Sequence, residues 1–138
     1  MSDGILQRIA RAAAEEQQPR DVRAHNAAEI IRETREYRWV GIYDVADDEV
    51  SLLAYAGAAA PASPRFLVTQ GLTAAAVKSR APVVGGTTRS EAIVPVLGAE
   101  TGIVIGTLDV ESENLDAFAP ADTAFLEDCA AALMPLYE

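Results

Sequence analysis

The stretch GIVIGTLDVES, residues 102–112, determines the fold that we expect for this chain. Its first residues are apolar and rich in β-branched side chains, which is typical of a buried strand. The preceding stretch SEAIVPVLG, residues 90–98, has the same character, and GAET between the two apolar runs predicts a turn. The two stretches together therefore predict a β-hairpin.

A second hairpin and several helices complete the pattern. YRWVGIYDV (37–45) and EVSLLAYAG (49–57) predict two strands joined by a turn at Asp47 and Asp48. PRFLVTQG and PVVGG predict short single strands. Apolar residues that recur at helical spacing predict helices at residues 4–16, from Asp21 to about Tyr37, at residues 71–80, and from about Pro120 onward.

Hairpins flanked by amphipathic helices indicate an α+β fold. We expect a central antiparallel sheet of about five to six strands, with the N- and C-terminal helices packed on one face. The 138 residues are expected to form one domain. Within it we place the N-terminal helices at 1–37, the sheet and its loops at 38–113, and the C-terminal helix at 119–135.

The charge balance argues against several classes of partner. The formal net charge is −10, which disfavours binding to nucleic acid or to an anionic membrane surface. The chain begins with Asp3 ahead of its apolar residues and lacks the apolar core of a signal peptide. No apolar run approaches the ~18 residues of a membrane span. We therefore expect a cytoplasmic protein with neither a nucleic-acid nor a membrane partner.

A single cysteine and a single histidine leave few groups for metal or nucleophilic chemistry. They form neither an intrachain disulfide nor a zinc ligand set. His25 lies in a predicted helix, far in sequence from any candidate nucleophile. Helical spacing places Cys129 with Phe125 and Leu133, which predicts a core thiol. We expect no metal ion, no cofactor and no catalytic residue.

Side chains alternate along GIVIGTLDVES, because successive residues of a strand point to opposite faces of the sheet. One face is predicted to be core and carries Val104, Gly106, Leu108 and Val110. The other face changes from apolar to polar along the strand and carries Ile103, Ile105, Thr107, Asp109 and Glu111. An apolar floor that ends in polar side chains is typical of a pocket and its mouth.

Glu91 lies on the neighbouring predicted strand and would bring a third carboxylate to this face. Clustered carboxylates raise one another's pKa, and a cationic group such as an ammonium would relieve their repulsion. Backbone N–H groups near Leu72 and Thr73 lie at a predicted helix start, which favours an anion. The residues thus support an amino-acid-like zwitterion as ligand. The alternative is that these acidic side chains are only solvated.

Three stretches, in order, resemble a GAF domain over residues 66–133: PRFLVTQGLTAAAVKSRAPVVGG, SEAIVPVL, and GIVIGTLDVES with the helix entry NLDAFAPAD. The resemblance implies a ligand pocket under loops, on the face of the sheet opposite the terminal helices. Among GAF domains, the chain is most similar to the free methionine-(R)-sulfoxide reductases, which are single GAF domains. In these reductases aromatic side chains pack on the ligand and carboxylates bind its polar ends. The resemblance implies a ligand-binding role for Trp39, Tyr43, Thr73, Glu91, Asp109 and Glu111.

The chain departs from these reductases at their cysteines. Thr73 stands where a G-x-G-V-C-G stretch has its cysteine, and GGTTRSE (85–91) is too short to hold the loop with a further one. Sulfoxide reduction by this route needs a thiolate and a resolving thiol. We therefore expect a stand-alone, non-catalytic GAF domain that binds a small polar ligand as a sensor or regulator, and that dimerises through its terminal helices. The alternatives are a divergent enzyme related to the reductases and an interaction module without a ligand.

Overall fold

The computed structural model describes residues 2–86 and 90–138 of the chain. Its helices are α1 (Ser2–Ala14), α2 (Arg20–Thr34), α3 (Gly71–Ser79) and α4 (Pro120–Ala132), followed by a 3-10 turn at Met134–Tyr137. Its strands are β1 (Trp39–Val45), β2 (Glu49–Gly57), β3 (Arg65–Leu67), β4 (Val83–Gly85), β5 (Ser90–Leu97) and β6 (Val104–Ser112).

The described strands form one six-stranded antiparallel sheet in the order β3-β2-β1-β6-β5-β4. Each of the two predicted hairpins is present, and β1 and β6 join them at the centre of the sheet. Helices α1, α2 and α4 cover one face, where Leu108 and Val110 of β6 are fully buried. The predicted α+β class and sheet are therefore confirmed.

The helix ends differ from the expected ones by a few residues. Helix α2 ends at Thr34 and not near Tyr37, because Glu36 adopts a left-handed conformation (φ 53°) and the Tyr37 N–H donates to the carbonyl of Arg32. This is a Schellman-type ending. Helix α4 ends at Ala132 and not at 135, because Pro135 lacks an N–H and its ring excludes a continuing α-helix.

A β-bulge changes the expected alternation at the start of β6. The pairing with β5 shifts between Val96 and Leu97, so that Val96 lies opposite Gly106 and Leu97 opposite Val104. The extra residue is Ile105, and it packs against the main core. Val104 is not among the described residues of that core. The prediction that Val104 lies on the core face and Ile105 on the other face was therefore wrong. The alternation holds from Gly106 onward.

Contacts between distant parts of the chain join its C-terminus to the centre of the sheet. The Arg20 guanidinium donates two hydrogen bonds to Asp44 of β1, at 2.6 and 2.9 Å, and a third to the carbonyl of Leu136 at 2.7 Å. The Tyr137 hydroxyl donates to the carbonyl of Tyr43 at 2.8 Å. Tyr137 thereby lies across Gly106 of β6, where a side chain would leave it no room.

The small residues of the terminal helices pack in the hydrophobic core of this chain. Ala13 of α1 and the α2 residues Ala24, Ala27 and Ala28 are fully buried within this single chain. The dimer through these helices stays a prediction. In the part of the chain that the structure describes, none of the helices has the length and apolar character needed to cross a membrane.

We expect Gly106→Ala to lower the free energy of unfolding by about 1–3 kcal/mol, as overpacking of a filled site typically does. The new Cβ would overlap the hydroxyl and ring of Tyr137. Urea denaturation of the variant and the wild type measures the difference. Gly4→Ala is the matched control, because Gly4 lies in α1 with no heavy atom within 4 Å of the added Cβ. Unchanged stability of Gly106→Ala would contradict the placement of Tyr137 over β6.

Candidate functional site

A cavity of about 340 Å³ opens on the face of the sheet opposite α1, α2 and α4. All six residues that the sequence predicted for the ligand site line it: Trp39, Tyr43, Thr73, Glu91, Asp109 and Glu111. They come from β1, the start of α3, β5 and β6. The antiparallel sheet thus brings together side chains that are up to 72 positions apart in sequence.

The register of the central strands places the three carboxylates side by side. Glu91 of β5 pairs directly with Glu111 of β6, and Ile93 pairs with Asp109. On the other side of β6, Gly41 pairs with Asp109 and Trp39 with Glu111. Residues two apart on a strand share a face, so these pairs make one continuous surface. The floor of the cavity is therefore acidic along β5 and β6 and aromatic along β1.

Asp109 is the most deeply placed of these carboxylates, with 9% of its surface exposed. Its Oδ1 atom is buried and accepts no hydrogen bond from any residue that the structure describes. The pKa of Asp109 is raised to about 8, mainly by burial and in smaller part by the charges of Glu91 and Glu111. The nearby Thr107 hydroxyl opposes this rise, with an effect second in size to that of burial.

Glu91 and Glu111 differ in their surroundings. Burial, together with the charge of Glu111, raises the pKa of Glu91. Glu111 instead has a cationic neighbour, because Arg38 Nη1 donates to its Oε1 at 3.1 Å. Arg38 also reaches Glu113 outside the cavity, at 4.0 Å. The arginine therefore neutralises the outer end of the acidic floor and leaves the inner end, at Glu91 and Asp109, without a bonded cation among the described residues.

The aromatic wall is held in place by its own contacts. The Trp39 indole lies over Gly41, where a Cβ would collide with the ring. Its Nε1 donates to the carbonyl of Ala59 at 3.0 Å, and its ring stacks on Tyr55 with centroids 6.1 Å apart. Tyr43 meets Phe66 edge-on at 5.9 Å. These contacts make the wall a preformed surface.

Burial raises the pKa of Tyr43, and the charges of Asp109, Glu111 and Glu91 add to the rise. The phenol therefore stays neutral at physiological pH. It presents a hydrogen-bonding hydroxyl and an apolar ring to the cavity, and it adds no further negative charge to the acidic floor.

The start of α3 forms the wall opposite the carboxylates, through Gln70, Gly71, Leu72 and Thr73. The first N–H groups of a helix have no partner within the helix. Gln70 does not cap them, since its side chain instead accepts the N–H of Leu67 at 3.3 Å. The cavity thus has acidic side chains on one wall and a partly positive helix end on another.

Several cavity residues were not predicted. Ile93 lies two residues after Glu91 on β5 and shares its face, so the alternation that selected Glu91 also identifies Ile93. Phe66, Pro61 and Ser63 come from β3 and the preceding loop, and nothing in their local sequence marks them. The contact of Arg38 with Glu111 depends on β1–β6 pairing, which no local pattern specifies.

The two reactive residue types lie away from the cavity. Cys129 is fully buried among the core residues of α4, and burial raises the pKa of its thiol to about 12. His25 lies on the exposed side of α2. Among the described residues, no group of three or more His, Cys, Asp and Glu side chains is arranged to hold a metal ion.

Solved structures of similar fold were found, whereas no family model and no curated protein matches the chain. The free methionine-R-sulfoxide reductase of Neisseria meningitidis, solved with its substrate, has a TM-score of 0.81 at 26% identity, covering 99% of this chain and 87% of that one. The fRMsr of Staphylococcus aureus, also solved with substrate, has a TM-score of 0.79 at 21% identity, covering 98% and 95%.

A GAF domain from an Acinetobacter phosphoenolpyruvate-protein phosphotransferase has a TM-score of 0.80 at 16% identity, covering 96% of this chain and 90% of that one. The chain therefore has the GAF fold, and its structural neighbours include both GAF domains and free methionine-R-sulfoxide reductases. Its single cysteine, buried Cys129, is consistent with the absence of the reductase cysteines.

The buried Asp109 predicts a specific dependence of stability on pH. Its pKa rises from 3.8 in an ordinary environment to about 8 in the fold, so its contribution to stability is greatest below the lower value. That contribution falls as the pH rises from 3.8 to about 8. Above about pH 8, the ionisation of Asp109 no longer changes the stability. Asp109→Asn removes this titration. We expect the variant to gain on the order of 5 kcal/mol over the wild type at about pH 9, and little at about pH 4.

Urea denaturation at the two pH values measures this difference. Glu113→Gln is the control, because the Glu113 side chain is 79% exposed and its removal should give no such pH-dependent gain. Equal pH profiles for Asp109→Asn and the wild type would show that Asp109 ionises in the fold as it does in water.

Proposed function

We propose that this chain is a non-catalytic binding protein of the GAF fold whose pocket takes a small amino-acid-like zwitterion. The observation that carries the proposal is the inner end of the acidic floor. There Asp109 has a buried oxygen that accepts no hydrogen bond from the described part of the chain, and Glu91 lies beside it on the next strand. Both contribute to a cavity with aromatic walls.

The inner end of the acidic floor has no bonded cation among the described residues, and an ammonium group would supply one. A buried polar group without a partner costs free energy, and a buried charge without one costs more. An ammonium has three donors and a positive charge, so it can satisfy Asp109 and Glu91 together. Hydrogen bonds in which both partners are charged are among the stronger polar contacts.

The start of α3 supplies the complementary end of the site. Its first backbone N–H groups lie at the cavity wall and are not capped by Gln70, and such groups bind carboxylates. A cavity of about 340 Å³ lies at the small end of the range for ligand sites. An ammonium and a carboxylate on one small molecule would meet both walls, with an apolar part against Trp39 and Phe66.

The similarity to the Neisseria meningitidis reductase supports this ligand class, since that protein was solved with its substrate. The chemistry of reduction is a separate matter. Sulfoxide reduction by thiols requires an accessible thiolate, and Cys129 is fully buried in the core on the opposite face of the sheet. A pocket without a reactive group suits a sensor or regulator that reports the concentration of its ligand.

We expect L-methionine or its (R)-sulfoxide to raise the melting temperature in a thermal-shift measurement, and N-acetyl-L-methionine, which lacks the cation, to have no effect. A ligand at 100 times its Kd adds about 2.7 kcal/mol to the stability. Glu91→Gln should weaken binding about 10- to 100-fold, because it removes one charge-assisted contact. Glu113→Gln, which lies outside the cavity, should bind as the wild type does. Equal shifts with and without the ammonium would contradict the proposal.

A reductase related to the structural neighbours is the competing function, because free methionine-R-sulfoxide reductases are among the solved structures that share this fold. We expect no turnover of free methionine (R)-sulfoxide with dithiothreitol as reductant. Product formation followed by chromatography tests this directly. Turnover that persists in Cys129→Ala would show a cysteine-independent reaction and would overturn the non-catalytic assignment.

A further inference from the structure

We propose that the pocket exchanges a proton for the cation of its ligand: when an ammonium group binds, Asp109 releases one proton to solvent. The inference rests on the proposed function, because it concerns the same site and the same class of ligand. It adds a regulatory property, namely that affinity depends on pH through a group of the protein.

The first basis is the geometry of the three carboxylates. Glu91 and Glu111 lie directly opposite each other on paired strands, and Asp109 lies next to them on the same face. Neighbouring carboxylates oppose one another's ionisation, and the least solvated one binds a proton most strongly. Asp109 is the least exposed of the three, and Glu111 has the Arg38 guanidinium. The proton therefore resides on Asp109 when the pocket is empty.

The groups around Asp109 come from every element packed against it. On β6 they are Thr107 and Glu111, on β5 Glu91, and on β1 Tyr43. Tyr137 approaches from the C-terminal turn, and α3 contributes Leu72 and Thr73 without a charged side chain. Among these described neighbours the charged groups are all acidic, and the two phenols stay neutral. Of these described neighbours, the Thr107 hydroxyl favours an ionised Asp109, and burial outweighs it before a ligand arrives.

Binding of an ammonium group reverses the preference of Asp109 for its protonated form. An ammonium placed between Glu91 and Asp109 brings one positive charge, and the O–H bond of the Asp109 carboxyl then breaks with the proton passing to solvent. The ammonium keeps its own protons, so one charge enters and one leaves. The pKa of about 8 in the empty pocket agrees with this exchange at neutral pH. Affinity should then rise about tenfold per pH unit below that value and level off above it.

Isothermal titration calorimetry measures the exchange directly. L-Methionine and its (R)-sulfoxide are titrated into the protein at about pH 7, in phosphate and in Tris, which differ in their heats of protonation. For each probe that binds, the difference in observed heat gives the number of protons released. We expect about one for the wild type and for Glu113→Gln, and close to none for Asp109→Asn, because its amide has no acid proton.

A second readout does not depend on binding by the variant. In protein labelled with ¹³C at the aspartate carboxyls, the Asp109 signal should titrate near pH 8 without ligand and move to its ionised position at pH 7 with ligand. Comparison with Asp109→Asn assigns the signal. Binding without proton release, or release of equal size in Asp109→Asn, would overturn this inference and leave the proposed function intact. A failure of both probes to bind would overturn the proposed function, and this inference with it.

Discussion

Burial of β6 on both of its faces is the constraint on which the rest of the structure depends. Leu108 and Val110 close the core beneath the helices, while the residues between them face the other side of the sheet. Because strand side chains alternate, a strand that anchors the core at every second position must present the remaining positions to the opposite layer. Asp109 is thus placed at depth by its neighbours on the same strand.

This arrangement fixes the floor of the pocket independently of the loops around it. The acidic floor and the aromatic wall belong to the central strands and are fixed by the packing that stabilises the whole chain. Groups for thiol chemistry would have to come from the loops and the start of α3, which can change without disturbing the sheet. In this chain Thr73 and Leu72 occupy that region, and Leu72 fills the space over Gly85. The floor of such a pocket can therefore stay the same while the residues of its loops change.

The fold was largely predictable, because alternation and helical spacing are local signals that survive packing. Strand alternation and the predicted helix start identified the three carboxylates and Thr73 as cavity candidates, whereas Trp39 and Tyr43 needed the family resemblance, since aromatic residues on a strand are more often core. What escaped prediction depends on contacts between distant segments. The β-bulge at Ile105 depends on the pairing of β5 with β6. The contact of Arg38 with Glu111 depends on the pairing of β1 with β6. The early end of α4 could have been predicted from Pro135.

Trp39 is the single tryptophan of the chain, and its indole forms part of the pocket wall. Gly41 beneath the ring, Tyr55 beside it and the carbonyl of Ala59 at its nitrogen fix its orientation. Near-ultraviolet emission excited at the red edge of the indole band therefore arises from the pocket and from nowhere else in the protein. The molecule carries a native optical reporter, and occupancy of its pocket can be followed without attaching a dye.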